Sequence, residues 1–212
     1  MDLARPEFGL NHVLAYGQSL ATGWEGWPAL STTQAFDSLM LGGSVRPAEE
    51  RAPRWRPVAG PMLQPLVATV QASGGGPVLE TAEIAALPRG AVVLGETVLE
   101  AATNNWRAHM DRRPDQMLLA SACGVGGRTL EQLSRGAWPE LFNRLRECVA
   151  AGRAAAGARS YGVVALLLLQ GEHNAIGANN GATGRAAYLA LLRRFHADFL
   201  DDIVRGTAGQ ST

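Results

Sequence analysis

Three short apolar runs alternate with amphipathic segments along the chain. The apolar runs are residues 10–16, 116–122 and 161–169, and each is nearly continuous rather than alternating with polar positions. Short, continuous apolar runs are typical of strands buried on both faces, as in a parallel sheet covered by helices. The pattern therefore predicts three buried parallel strands.

Three amphipathic segments predict helices between and after these strands. Residues 95–110, 138–157 and 185–204 each place apolar side chains on one helical face. The clearest stripe consists of Tyr188, Leu192, Phe195, Phe199 and Ile203. Strands alternating with helices predict a doubly wound α/β fold, with residues 1–212 forming a single domain.

Residues 24–94 interrupt this alternation. They contain much of the proline and several glycine clusters, including three consecutive glycines at 74–76. We interpret the segment as a long inserted loop rather than a second domain, with a short helix or strand expected near residues 63–71. Loops of this length are more often functional than idle.

Composition narrows the classes of function. The formal net charge is zero, with 19 basic and 19 acidic residues, whereas nucleic-acid-binding surfaces usually carry a basic excess. No apolar run is long enough to cross a bilayer, and no signal-peptide pattern is visible, so the cytoplasm is the default location and the sequence does not fix it. The two cysteines, Cys123 and Cys148, form no Cys-x-x-Cys pair, and we expect no metal or cofactor.

Glycine and polar residues follow each of the three predicted strands. The first strand is followed by Gly17-Gln18-Ser19, the second by residues 124–129 and the third by residues 170–174. Ligands of open α/β sheets bind beyond the carboxyl ends of the strands. Because the three ends are expected at one edge of the sheet, the sequence predicts a site there.

The residue types at these ends suit acyl transfer. A serine reacts as a nucleophile only when a base takes its proton and nearby donors stabilise the oxyanion. Ser19, at a strand-to-helix turn, would expose its hydroxyl and direct its N–H towards the site. Gly126 or Gly127 can bring a backbone N–H close, and Gln170 can offer a side-chain amide. The three ends thus predict an oxyanion hole around Ser19.

Simpler interpretations exist for each residue taken alone. Ser19 is also typical of a turn or helix cap, paired glycines of a turn, and Gln170 or Glu172 of a cap. Cys123, at the end of the second strand, is the rival nucleophile, although no cysteine-protease motif surrounds it. Cys148 lies on the apolar stripe of a predicted helix and is expected in the core.

Taken together, the three blocks resemble the SGNH-hydrolase superfamily, in particular its sialate O-acetylesterase-like group and the related acetylxylan esterases. In that group the serine block follows the first strand, a second block has paired glycines before a Thr or Ser, and a third reads Gln-Gly-Glu. The matching segments here are Gly17-Gln18-Ser19, Gly126-Gly127-Arg128-Thr129-Leu130 and Gln170-Gly171-Glu172-His173-Asn174. The resemblance covers most of the chain outside residues 24–94. The more widespread Gly-x-Ser-x-Gly esterase motif is absent, because Ala21 stands at its last position.

This resemblance implies a flavodoxin-like, three-layer α/β/α fold and a serine esterase. Its substrates would be O-acetyl or other short acyl esters, often on sugars, and it would need no metal. Ser19 would be the nucleophile, and its partners in the oxyanion hole would be a glycine N–H and the Gln170 amide. The implied catalytic residues are Ser19, Gly126, Gly127 and Gln170, with Gln18, Glu172 and His173 in supporting positions.

Two features depart from the family pattern. Asn174 stands where the family commonly has Asp, and the family's base is a histidine in an Asp-x-x-His block near the end of the domain. None of the four histidines, at positions 12, 109, 173 and 196, lies in such a block. His173 directly follows Gln-Gly-Glu and is the histidine placed to reach the site.

These departures leave several hypotheses open. Residues after the last helix resemble the beginning of another strand, so we expect the last strands and the histidine block to lie outside the given sequence. Alternatively, a short variant uses His173, or a catalytically incomplete domain of the same fold binds carbohydrate or serves a structural role. A lipase-like enzyme for longer acyl chains is a further hypothesis, since Trp24, Trp27 and Trp55 of the long loop can line either an apolar or a sugar-stacking pocket.

Overall fold

A computed structural model describes residues 7–88, 90–110 and 113–211. The strands are β1 (Leu10–Gly17), β2 (Leu39–Leu41), β3 (Leu63–Pro65), β4 (Gln71–Ala72), β5 (Val93–Leu94), β6 (Met117–Ala122) and β7 (Tyr161–Leu169). The helices are α1 (Thr81–Ala85), α2 (Val98–His109), α3 (Leu130–Leu133), α4 (Pro139–Ala156), α5 (Glu172–Ala175) and α6 (Arg185–Asp198). Two 3₁₀ turns lie at Ser19–Thr22 and Ala178–Asn180, and α6 continues into a π-helical segment, Phe199–Thr207. No helix of the described segments is long and apolar enough to cross a membrane.

The central sheet has five strands in the order β3-β2-β6-β1-β7, and only β3 runs antiparallel to its neighbour. Strands β4 and β5 form a separate two-stranded antiparallel pair. The three predicted strands correspond to β1, β6 and β7, so that prediction is confirmed. β1 lies between β6 and β7 and runs parallel to both. The carboxyl ends of the three strands therefore lie at the same edge of the sheet.

Apolar side chains on both faces of the sheet explain why the strand sequences are continuously hydrophobic. In β1, Leu14 and Tyr16 belong to the core that contains Phe142 of α4, whereas Val13 and Ala15 face the core on the opposite side. That second core is completed by residues of α2, among others. The protein is thus a mixed α/β fold in which helices cover both faces of a mostly parallel sheet.

The predicted helices are confirmed as α2, α4 and α6, but the strand expected after α6 is wrong. The chain instead continues as the π-helical segment, which buries Ile203 and Val204 in the core. The side chain of Gln210 then pairs with the edge of β7: it accepts from the Val163 N–H at 2.7 Å and donates to the Val163 carbonyl at 3.2 Å. Apolar contacts and this side-chain pairing replace strand formation over residues 199–211.

The segment 24–94 contributes to the sheet more than its sequence indicates. Strand β3 lies inside the range 63–71 where a short element was expected, whereas β2 was not anticipated. β2 has only three residues and is followed by two glycines, so it has no alternation from which to recognise a strand.

A candidate active site at the carboxyl ends of three strands

Direct backbone hydrogen bonds join the segments that follow β1, β6 and β7. The N–H of Val125 donates to the carbonyl of Gly17 at 2.9 Å, and the N–H of Gln18 donates to the carbonyl of Leu169 at 3.0 Å. The serine block therefore lies between the glycine block and the Gln-Gly-Glu block. The sequence predicted this convergence, and the structure brings all three blocks together.

Glycine is required at the end of β1. Gly17 has a φ of +140°, and a Cβ there would collide with the carbonyl oxygen of Leu169. Gly124 meets the same region from β6, where an added Cβ would lie 3.0 Å from the carbonyl oxygen of Gly17. Close backbone approach at these two glycines allows the three strand ends to share one site.

Ser19 begins the 3₁₀ turn and is only partly buried. The turn is held by two hydrogen bonds, from the Ala21 N–H to the Gln18 carbonyl and from the Thr22 hydroxyl to the Ser19 carbonyl, both at 2.8 Å. Neither the hydroxyl nor the N–H of Ser19 is hydrogen-bonded within the described residues. The serine therefore keeps an accessible hydroxyl beside an N–H that can still donate.

The two glycines of the second block differ in what they can offer. The Gly126 N–H donates to Oε1 of Glu50 at 3.0 Å, so it is already engaged. Gly127 has a φ of +70°, and its N–H has no acceptor among the described residues. Of the two predicted glycine donors, Gly127 is the one that remains available. Glu50 lies in the long loop region, and no sequence signal distinguished it from its exposed neighbour Glu49.

Gln170 supports the site rather than presenting a free amide. Its Nε2 donates to the Arg128 carbonyl at 3.2 Å and to Oδ1 of Asn174 at 2.8 Å, and its Oε1 accepts from the Tyr188 hydroxyl at 2.7 Å. An amide nitrogen carries only two hydrogens, and both are engaged here. The predicted role of Gln170 as an oxyanion donor would require one of these bonds to break.

Asn174 stands where the family that the sequence resembles commonly has Asp, and its hydrogen bonds account for the asparagine. It is 1% exposed, its Oδ1 accepts from the Leu130 N–H at 2.8 Å, and its Nδ2 donates to Oε2 of Glu131 at 2.8 Å. Burial alone would raise the pKa of Glu131, but hydrogen bonds led by those from the Ala182 N–H and the Asn174 amide lower it. An aspartate at position 174 would set a carboxylate against the ionised Glu131, so asparagine suits this pairing.

His173 is the histidine that lies within the site. Its backbone N–H donates to Oε1 of Gln18 at 3.4 Å, and its Nε2 lies 3.7 Å from the position that a Cβ on Gly127 would occupy. Its Nδ1 is buried and has no hydrogen-bond partner within the described residues. Glu172, beside it, is exposed and makes no side-chain hydrogen bond to the other described residues. The structure thus places an imidazole, but not the Glu172 carboxylate, against the glycine block.

The other three histidines lie elsewhere. His12 is fully buried within β1, where desolvation lowers its pKa to about 3. His109 is exposed at the end of α2, with its Nδ1 2.8 Å from the Asn105 carbonyl oxygen. His196 is an exposed residue of α6 beside β7. Only His173 accompanies Ser19 at the strand ends.

The surroundings of the site contain an aromatic side chain that the sequence analysis did not single out. Trp138, at the start of α4, is 38% exposed, and the guanidinium of Arg128 lies 4.9 Å from the centre of its ring. Leu20, next to Ser19, is also exposed. By contrast, Trp55 is buried and donates from Nε1 to the Ala122 carbonyl at 2.9 Å, so it is a core residue.

Cys123 and Cys148 are both fully buried and form no disulfide within the described residues. Burial raises the pKa of the Cys148 thiol. A nucleophile must be accessible to its substrate, so Cys123 is a poor rival to Ser19. Within residues 7–88, 90–110 and 113–211, no three His, Cys, Asp or Glu side chains cluster in a way that suits a metal ion.

Comparison with known proteins adds no further evidence. No protein-family model matches this chain, and no curated protein shows significant similarity to it. The assignment of a function therefore depends on the geometry at the strand ends.

Proposed function

We propose that the protein is a serine esterase of the SGNH type that hydrolyses O-acetyl or other short acyl esters, on carbohydrate substrates. The observation that carries this proposal is the position of Ser19. Its hydroxyl is accessible at the point where three strand ends meet. Among the described residues this hydroxyl has no hydrogen-bond partner, and neither the Ser19 N–H nor the Gly127 N–H of the second strand end has an acceptor. The mixed α/β fold, with helices on both faces of its sheet, is compatible with the three-layer architecture of that superfamily.

In the proposed reaction, Oγ of Ser19 attacks the acyl carbon while His173 takes the hydroxyl proton. The N–H groups of Ser19 and Gly127 donate to the resulting oxyanion. Collapse of the tetrahedral intermediate expels the alcohol, which receives the proton from His173, and leaves an acyl-serine. Water then attacks this ester with His173 again acting as base, which releases the carboxylic acid and restores Ser19.

His173 is chosen as base because its imidazole lies beside Gly127 and its backbone is bonded to Gln18, the residue before Ser19. In serine hydrolases with a complete triad, a carboxylate orients the base through its second nitrogen. Nδ1 of His173 has no such partner among the described residues. An imidazole that no second group orients through Nδ1 is expected to support slow turnover.

Trp138 and Arg128 support a saccharide as the alcohol part of the substrate. Exposed tryptophan rings offer an apolar face with a polar edge, which suits the faces of sugar rings. Arg128 follows Gly127 directly, and so connects this aromatic surface to the glycine loop. The short acyl group would then point towards Ser19.

A second function is a carbohydrate-binding domain of the same fold that does not hydrolyse its ligand. The observation that favours it is the engagement of two predicted oxyanion donors, Gly126 by Glu50 and Gln170 by Arg128 and Asn174. A site with fewer free donors stabilises the transition state less. Such a domain would bind an acylated sugar without releasing acid.

Hydrolysis of p-nitrophenyl acetate tests the first function against the second. We expect measurable turnover by the wild-type protein and background turnover by Ser19→Ala. Ser73→Ala is the matched control, because Ser73 is exposed and its side chain makes no hydrogen bond to the other described residues. Turnover that is unchanged in Ser19→Ala would exclude Ser19 as the nucleophile, and saccharide binding without turnover would favour the second function.

A further inference from the structure

Glu50 is a buried carboxylate in contact with the glycine loop. It is 5% exposed, and its Oε1 accepts from the Gly126 N–H at 3.0 Å. A Cβ added to Gly126 would lie 2.9 Å from the same oxygen, so the absence of a side chain allows the carboxylate to approach the backbone. Carboxylates that accept from backbone N–H groups form strong, charge-assisted hydrogen bonds.

Arg144 holds this part of the long loop in place, and a second buried arginine, Arg46, lies near the Glu50 charge. Arg144 of α4 donates from Nη1 to the carbonyl oxygens of Glu50 and Ala52, at 2.7 and 2.6 Å, and its Nη2 lies 3.5 Å from the Gly124 carbonyl oxygen. Arg46 is 2% exposed, and burial lowers its pKa to about 10 against the opposing effect of the Glu100 and Glu50 charges. Glu50 therefore has cationic side chains near it, and the guanidinium of Arg144 links its segment to Gly124, two residues before Gly126.

We propose that Glu50 is a positioning residue, which fixes the peptide of Gly126 so that the adjoining Gly127 N–H can serve as the oxyanion donor. This inference rests on the proposed esterase function. Glu50 does not contact the substrate in this account, because its carboxylate oxygen is bonded to the Gly126 N–H. It acts by holding one residue of the loop so that the next residue is correctly oriented.

The arrangement also assigns different roles to the two glycines. Gly126 is the attachment point of the long loop, whereas Gly127 is the donor to the substrate. Nε2 of His173 lies 3.7 Å from the position that a Cβ on Gly127 would occupy, so the proposed base and the proposed donor are neighbours. A displaced Gly126 would move Gly127 relative to both Ser19 and His173.

The test compares Glu50→Ala with Glu50→Gln, and uses Glu49→Ala as the matched control because Glu49 is exposed. Glutamine keeps an oxygen that can accept from the Gly126 N–H, whereas alanine removes it. We expect kcat for p-nitrophenyl acetate to fall roughly 10- to 100-fold in Glu50→Ala with little change in KM, since small misplacements of reacting groups have effects of this size. Glu50→Gln should recover most of kcat, and Glu49→Ala should match the wild type.

A measurement that does not need activity accompanies the kinetics. Hydrogen exchange of the Gly126 amide, followed by NMR, should be slow in the wild type and in Glu50→Gln, and at least tenfold faster in Glu50→Ala. Unchanged exchange in Glu50→Ala would overturn the inference even if no esterase activity were found. Activity that is unchanged or raised in Glu50→Ala would also overturn it, and a raised kcat would mean that Glu50 blocks the donor instead. Absence of turnover by the wild type would count against the esterase function alone, since the exchange result would still decide the role of Glu50.

Discussion

The backbone N–H of His173 donates to the side-chain oxygen of Gln18 at 3.4 Å. This bond joins the residue before the proposed nucleophile to the residue proposed as its base. Two segments that are far apart in the sequence are therefore held in one site. The geometry gives His173 a defined position although it lies outside any Asp-x-x-His block.

Removal of the His173 imidazole should reduce turnover strongly. We expect kcat for p-nitrophenyl acetate to fall roughly 100-fold or more in His173→Ala, as general bases typically contribute 10²- to 10⁴-fold. Added imidazole should restore part of the rate, because the missing side chain leaves room beside Gly127. His196→Ala is the control, since His196 is exposed on α6. Full activity of His173→Ala would mean that another group takes the serine proton.

Replacement of Asn174 by aspartate should destabilise the fold. Nδ2 of Asn174 donates to Oε2 of Glu131 at 2.8 Å, and the substitution would put two carboxylates at that distance. Loss of such a buried bond is expected to lower the free energy of unfolding by about 1–3 kcal/mol in urea denaturation at pH 7. The double variant Asn174→Asp/Glu131→Gln restores a donor and should recover much of the loss. An Asn174→Asp protein as stable as the wild type would show that the pair is not important.

A side chain at Gly17 should separate the strand ends. The residue has a φ of +140°, and its Cβ would collide with the Leu169 carbonyl. We expect Gly17→Ala to lower the free energy of unfolding by roughly 2–4 kcal/mol, from backbone strain and overpacking together. Gly136→Ala is the control, because a Cβ there meets no atom of the described residues within 4 Å. Equal melting temperatures for the two variants would contradict the close approach of β1 and β7.

The buried His12 should make the protein sensitive to mild acid. Burial lowers its pKa in the folded state to about 3, against 6.5 ordinarily. Between pH 6.5 and pH 3 the unfolded chain therefore binds a proton at His12 and the folded chain does not. The free energy of unfolding should then decrease as the pH falls from 6.5 towards 3, by ~2 kcal/mol at pH 5 from this residue alone. Denaturation at pH 7.5 and pH 5 should show a smaller decrease for His12→Gln than for the wild type. Protonation of His12 near pH 6.5, observed by NMR in the folded protein, would contradict this.

Much of the fold was predictable because its strands have an unambiguous pattern. β1, β6 and β7 are continuously apolar, and burial on both faces of the sheet makes that pattern necessary. β2 could not be found in this way, since three residues carry no period. The apolar stripe predicted a helix as far as residue 204 and so placed Ile203 in the core. It did not show that the helix would change to π-helical geometry from Phe199 and continue to Thr207 in place of a strand.

The candidate site was predictable in its location but not in its hydrogen bonds. The Gly-Gln-Ser and Gln-Gly-Glu segments follow strands, so their convergence could be inferred from topology. Which donors remain available depends on contacts between distant residues, such as that of Glu50 with Gly126. Local periodicity in a sequence predicts helices and strands, but it does not predict hydrogen bonds between residues that are far apart in the chain.

Covalent labelling with a fluorophosphonate probe tests the central claim most directly. The probe reacts with a serine only when its hydroxyl is activated and the developing negative charge is stabilised. We predict that peptide mass spectrometry of the labelled wild-type protein will locate the adduct on Ser19, and that Ser19→Ala and heat-denatured protein will remain unlabelled. A wild-type protein that is folded but unlabelled, or labelled at another residue, would contradict the assignment of Ser19 as the nucleophile.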